Sequence, residues 1–228
     1  MLRLYDDPIS GNGYKVRLAL TWLGLPFEYV ALDIMKDETR TPAFLAINPN
    51  GRIPALRLDD GTVLSESNAI TWYLAEGTKL APADRLARTQ TLQWMFFEQY
   101  EHEPNIAVAR FWKHLPKMDE RQTRELPERM RRGYLTLGVM EKHLAASPPG
   151  GRDFFVSEPG HPKGRFGLAD IALYGYTHVA DEGGFDLAPY PAIRAWLARV
   201  KAQPNHVTIT APAGKQVKDA ALAAGARP

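Results

Sequence analysis

The first eighty residues alternate between short apolar runs and turn residues, in an order that predicts βαβα followed by ββα. Leu2 and Leu4 mark a first strand, ended by Asp6-Asp7-Pro8. Val16, Leu18, Ala19, Leu20, Trp22 and Leu23 then give a helix with a broad apolar face. Ser10 and Asn12 are capping types at its entrance, and Gly24-Leu25-Pro26 stops it. Residues 27–32 alternate in part and read as a second strand. A polar loop follows, then a short helix from Pro42, a residue suited to a first helical turn. Residues 55–58 and 62–65 read as strands joined by Asp59-Asp60-Gly61, a hairpin signal. Ser67 opens an amphipathic helix. The expected sheet is a parallel pair with a helical crossover, extended by an antiparallel hairpin.

After residue 78 the period becomes helical. Residues 79–84 have a linker's composition, and 85–207 carry helical spacing in four long stretches. The first, over 85–112, contains Pro104, which is expected to kink or divide it. The second, over 120–144, contains Pro127, which blurs its start. A turn is expected over 147–152. Gly167 precedes the third helix, and residues 191–203 form the fourth. Residues 208–228 are rich in Ala, Gly, Pro and Lys and read as a peripheral tail. The fold class is therefore an α/β domain over 1–78 and an all-α domain over 85–207.

Composition narrows the chemistry. The 228 residues include no cysteine, which excludes disulfides, thiolate metal sites and a protein thiol nucleophile. A net charge of +2 gives no case for nucleic acid. No apolar run approaches the roughly 18 residues that span a membrane, so the expectation is no membrane partner and a cytoplasmic location. Gly11-Asn12-Gly13 would need a third glycine at Val16 to be a dinucleotide fingerprint. His102 has no second histidine at ligand spacing, so no metal is expected.

Residues 48–74 hold the most distinctive chemistry. A turn leads into Pro54, a hairpin follows, and Glu66-Ser67 heads a helix. Together these offer a backbone edge beside a helix N-terminus, which suits a small peptide-like ligand carrying carboxylates.

The stretch Asn48-Pro49-Asn50-Gly51-Arg52-Ile53-Pro54-Ala55-Leu56, followed by Glu66-Ser67-Asn68-Ala69-Ile70, resembles the glutathione-binding, thioredoxin-like domain of soluble bacterial glutathione S-transferases. The resemblance covers residues 1–205. It implies a cis Ile53-Pro54 peptide and an extended γ-Glu-Cys-Gly tripeptide paired to Ile53 as an added strand. Glu66 would hold the tripeptide's amino group, and Ser67 its γ-glutamyl carboxylate. Arg52 and Arg40 would meet the glycine carboxylate. It also implies a homodimer, glutathione as co-substrate without a metal, and a detoxifying role. The second substrate would be an apolar electrophile or a disulfide, with Tyr100 and Phe111 walling its pocket.

With no cysteine in the chain, the reactive sulfur must be glutathione's. A free thiol of pKa ~8.5 is only about 3% thiolate at pH ~7, and lowering it by ~2 units makes about three quarters thiolate. That shift corresponds to ~2.7 kcal/mol of anion stabilisation. Ile9-Ser10-Gly11-Asn12-Gly13-Tyr14-Lys15 is similar to a bacterial subgroup with Thr-x-Asn before Gly-His-Lys, whose members also reduce disulfides using glutathione. Ser10 stands at the threonine, as hydroxyl donor to the thiolate, and Asn12 at the asparagine, as amide donor. Tyr5, at the end of the first strand, is the alternative used by other members. Tyr14 replaces the subgroup's histidine. Gly167-Leu168-Ala169-Asp170 resembles the family's buried helix start, with glycine where Ser or Thr usually caps and Asp170 in a structural role. Transferase-like folds also serve as non-enzymatic binding modules, but Arg52, Ile53, Pro54, Glu66 and Ser67 together favour the enzyme.

Overall fold

The computed structural model describes residues 1–146, 149–220 and 222. Two compact units emerge: Met1–Ala75 with the chain from Pro204 onward, and Glu76–Gln203. The turn expected over 147–152 and the tail expected over 208–228 fall partly outside the described residues.

The first unit follows the predicted order, with strands β1 (Leu2–Asp6), β2 (Phe27–Ala31), β3 (Ala55–Arg57) and β4 (Val63–Ser65), and helices α1 (Gly11–Trp22), α2 (Pro42–Leu45) and α3 (Ser67–Ala75). β1 pairs in parallel with β2 and antiparallel with β3, which pairs antiparallel with β4. Successive residues of β1 point to opposite faces. Tyr5 therefore joins Val30, Leu32, Phe44 and Ala55 in one buried cluster, while Leu4 and Asp6 turn the other way.

The described part of the expected tail is not peripheral. Lys215–Gln216 forms a further strand, β5, parallel to β2, so the sheet among the described residues runs β4-β3-β1-β2-β5. Polar anchors fix this segment. Asp219 Oδ2 accepts from the Tyr5 hydroxyl at 2.6 Å and from Arg3 Nη1 at 3.0 Å. Arg17 Nη1 donates to the Ile209 carbonyl at 2.5 Å, and the Tyr14 hydroxyl to the Val207 carbonyl at 2.5 Å. Composition hid this role, because a two-residue strand has no period to read. Asp219→Ala, which leaves the buried Tyr5 hydroxyl without its acceptor and Arg3 with Glu28 in place of two carboxylates, is expected to cost about 2 kcal/mol. Urea unfolding checks it; an unmoved midpoint would mean that Asp219 anchors nothing.

The second unit contains α4 (Arg85–Phe97), α5 (Glu103–His114), α6 (Glu120–Ala145), α7 (Leu168–Thr177) and α8 (Pro191–Lys201). A π-helical turn over Glu98–His102 joins α4 to α5. Pro104 falls in the first turn of α5, just past that widened turn, and the path continues through it. Pro127 lies inside α6. It is exposed, as is Thr123, whose carbonyl it leaves without a helical donor, so water can serve that oxygen. A capping box between Asp119 and Gln122 starts α6 cleanly. Among the described residues, no helix is long and apolar enough to cross a membrane.

Asp170 is fully buried at the start of α7. Its carboxylate accepts from Gly167 N–H at 3.0 Å, Phe155 N–H at 3.1 Å and Trp196 Nε1 at 2.8 Å. Glycine at 167 has a steric reason: a Cβ there would lie 2.8 Å from the Leu80 carbonyl oxygen, whose residue also accepts from Leu168 N–H. The space a capping Ser or Thr would need is taken by that backbone.

Candidate active site

Strand register brings three segments of the first unit together. Tyr5 pairs with Ala55, and Ala55 with Ser65. The end of β1, the Ile53-Pro54 step and the Glu66-Ser67 helix start therefore meet at one end of the sheet, where α1 and α3 both present their N-termini.

Ser10 is the N-cap of α1, held in extended backbone by its own N–H donating to the Asp7 carbonyl at 2.9 Å. Its Oγ accepts from Gly13 N–H at 3.1 Å. A hydroxyl that accepts in this way keeps its proton to donate elsewhere. Asn12 lies in the same first turn. Its Oδ1 accepts from Lys15 Nζ at 2.8 Å and from the Ser67 hydroxyl at 3.3 Å, linking the starts of α1 and α3. Ser67 is buried and Glu66 exposed. Glu66 has φ +67°, a left-handed conformation costing a glutamate of order 1 kcal/mol and typically imposed at binding sites.

The Ile53-Pro54 peptide is cis. Among the described residues, neither the N–H nor the C=O of Ile53 has a hydrogen-bond partner, and the side chains of Arg52 and Glu66 form no ion pair. Asn48 shapes the loop between. Its Nδ2 donates to the Arg52 carbonyl at 2.7 Å, and its Oδ1 accepts from Asn50 N–H at 3.2 Å. Arg40 Nη1 donates to the Asn50 carbonyl at 3.1 Å, which brings that second guanidinium to the same loop.

Behind the first turn of α1 lies a buried charge pair. Arg17 Nε stands 3.0 Å from Asp6 Oδ2, and Arg17 Nη2 donates to the Pro8 carbonyl at 2.9 Å. Burial pushes the Asp6 carboxyl up to about 7, with Arg17 pulling against it. Gly13 is glycine for this reason: a Cβ there would fall 1.5 Å from Asp6 Oδ1. In a run that superficially suggests a phosphate loop, Gly13 instead lets a carboxylate pack under the helix.

The family model for the glutathione S-transferase N-terminal domain matches residues 9–76, and that for the C-terminal domain matches residues 102–204. A possible glutathione S-transferase from Rhodopseudomonas palustris has a crystal structure with a TM-score of 0.85 to this chain and 48% identity, covering 96% of this chain and 94% of that one. The chain belongs to the glutathione S-transferase family. This transferase is also similar to the disulfide-bond oxidoreductase YfcG of Escherichia coli K12, at 31% identity over 90% of this chain and 92% of the relative. A glutathione transferase homologue from Lodderomyces elongisporus, solved with two glutathiones per subunit, has a TM-score of 0.77 and 27% identity, over 90% of this chain and 94% of that one.

The sequence-predicted residues of the transferase distribute unevenly. Ser10, Asn12, Arg40, Arg52, Ile53, Pro54, Glu66 and Ser67 all belong to the first unit. Tyr5 is fully buried, its ring edge-on to Phe44, and burial together with Asp219 pushes its hydroxyl up to about 12. Tyr100 is 82% exposed in the π-helical turn and Phe111 40% exposed on α5. Trp94 and Trp112 of the same aromatic-rich stretch are buried, as core packing predicts, but Phe96 is exposed. Sequence reasoning missed Asn48 as a loop anchor and passed over Lys15, Arg17 and Asp6, all almost completely buried. The charges of Asp6, Lys15 and Arg17, gathered within twelve residues around one glycine-rich turn, were the available signal.

Proposed function

We propose that this transferase binds glutathione as a strand added at Ile53 and activates its thiol at Ser10 and Asn12. The unpartnered Ile53 N–H and C=O carry this reading: an extended tripeptide pairs with such an edge through its own backbone. Arg52 and Glu66 bracket that edge with the charges that a glycine carboxylate and a γ-glutamyl amine need. Ser67 N–H, at the start of α3, meets the γ-glutamyl carboxylate. Arg40 adds a second cation for the glycine end. Ser10 Oγ–H and the Asn12 amide donate to the sulfur, and the α1 N-terminus adds favourable potential. Tyr5 is set aside as a thiol contact, because its hydroxyl proton goes to Asp219.

In conjugation the thiolate attacks an electrophilic carbon, a carbon–sulfur bond forms and the leaving group departs with its electron pair. Glutathione is the co-substrate, and the chemistry needs no metal. The kinship with YfcG and the two-glutathione neighbour support a second activity: two glutathione thiols reduce a disulfide to two thiols and leave as glutathione disulfide. Tyr100 and Phe111 are retained as apolar contacts for the second substrate. The proposal also keeps a homodimer, a cytoplasmic location and a role in detoxification.

Calorimetric titration with glutathione is expected to give saturable binding, and its absence at millimolar ligand would overturn the site. Turnover is then compared between an aryl halide and a small disulfide. Conjugation without reduction would remove the second activity. Binding without either would return the protein to the non-enzymatic alternative.

A further inference from the structure

We infer that Lys15 is a positioning residue for the reaction: its ammonium fixes the Asn12 side-chain amide with the NH2 turned toward the substrate sulfur. The inference rests on the reading of Ser10 and Asn12 as the thiolate's donors. Lys15 lies in the first turn of α1, fully buried, with Nζ 2.8 Å from Asn12 Oδ1 at the helical spacing i,i+3. Burying an ammonium is costly unless it is hydrogen-bonded, so this position is not an incidental surface choice.

The polarity of the contact gives the argument its direction. An asparagine amide has an oxygen that accepts and a nitrogen that donates, nearly identical in shape. The Ser67 hydroxyl, also on Oδ1, can donate or accept and would tolerate either orientation. An ammonium has only donors. It donates to the oxygen end of the amide and is repelled by the nitrogen end, so its contact favours the orientation with Oδ1 toward it. With Oδ1 drawn to Lys15 and Ser67, the NH2 projects to the opposite side. A thiolate requires donors, and an amide turned the other way would set an oxygen against the sulfur anion. Lys15 thereby acts on the thiol through Asn12 rather than by touching it.

A double-mutant cycle read at the thiol tests this. The pKa of enzyme-bound glutathione is followed by thiolate absorbance in the parent, Lys15→Met, Asn12→Ala and the double variant. Lys15→Met and Asn12→Ala are each expected to raise it by about one unit, tenfold in thiolate at pH below both values, and the double variant by no more than either. An effect of Asn12→Ala alone would overturn the role of Lys15 and leave the site reading standing. Additive effects would also overturn it, since Lys15 would then act through its own charge. If Asn12→Ala and Ser10→Ala both leave the thiol unchanged, the site reading itself fails.

A second measurement needs only the parent fold. The nitrogen-15 side-chain NH2 resonances of Asn12 are expected to titrate with the midpoint of the bound thiol, and not with S-methylglutathione. Resonances indifferent to the thiol would overturn the inference even if Lys15→Met does not fold.

Discussion

Asp170→Ala is expected to cost about 3–5 kcal/mol, enough to unfold most of the second unit under mild denaturant. The substitution strands three buried donors at once: Gly167 N–H, Phe155 N–H and Trp196 Nε1. Each unpartnered buried donor costs about 1–3 kcal/mol, and the vacated volume adds to the sum. These donors come from the helix start, the preceding loop and α8, so their loss separates three elements rather than loosening one. Trp196→Phe, which removes one donor and keeps most of the ring, is expected to cost about 1–2 kcal/mol. Urea unfolding of both variants checks the ranking. Equal losses would mean that packing around Trp196, not the carboxylate, holds the junction. The pH dependence adds a separate reading. Burial pushes the Asp170 carboxyl up to about 7, with its three donors opposing. An unfolded aspartate titrates near ~3.9, so between about pH 4 and 7 the folded state retains a proton that the unfolded state releases. The contribution of this group is full below that window and is lost as pH rises through about 7. Asp6 shifts in the same direction, so Asp170→Asn is expected to reduce the slope of stability against pH without abolishing it.

What the sequence disclosed and what it hid differ by physical kind. The sheet order of β1 to β4 was legible because strand period, a helical crossover and an Asp-Gly hairpin are local signals. The residues around Pro54 were legible as a constellation: Arg52, Glu66 and Ser67 have ordinary individual explanations but share one proline, and register then joins them through Ala55 and Ser65. β5 was invisible, since two residues carry no period and their partner lies far away in sequence. The buried charges of α1 were invisible for the opposite reason. Lys15 and Arg17 stand on a helix whose spacing assigns them to solvent, and their buried contacts, with Asn12 in one case and with Asp6, Pro8 and Ile209 in the other, come from groups that spacing does not announce. Pro104 read as a kink or division of the run over 85–112, and the run does divide just before it, at a π-helical turn that apolar spacing cannot reveal. Tyr5 offered two roles from sequence, and the acceptor its hydroxyl meets, Asp219, is too remote in sequence for either to have announced it.

Ser10→Ala is expected to raise the pKa of enzyme-bound glutathione by about one to two units, since a hydrogen bond to a charged group contributes about 1.5–3 kcal/mol. At a pH near the parent's bound-thiol pKa, kcat/KM should fall roughly 5- to 50-fold, following the lost thiolate. The deficit should shrink as pH rises past the variant's own thiol pKa, because both proteins then hold the anion. The glutathione KM should move little, since Ile53, Arg52, Glu66 and Ser67 supply the grip. Ser10 also caps α1 through Gly13, so the same variant loses about 1 kcal/mol of stability, checked separately by urea unfolding. Ser10→Thr, which restores both hydroxyl functions, is expected to recover the low thiol pKa and the cap together. Tyr5→Phe discriminates further: its hydroxyl donates to Asp219, so it should reduce stability and leave the thiol unchanged. A bound-thiol pKa that rises in Tyr5→Phe but stays at the parent value in Ser10→Ala would reverse the assignment, moving activation from the helix cap to the strand end. The opposite pattern ties the chemistry to the one residue whose cap geometry leaves a proton to give.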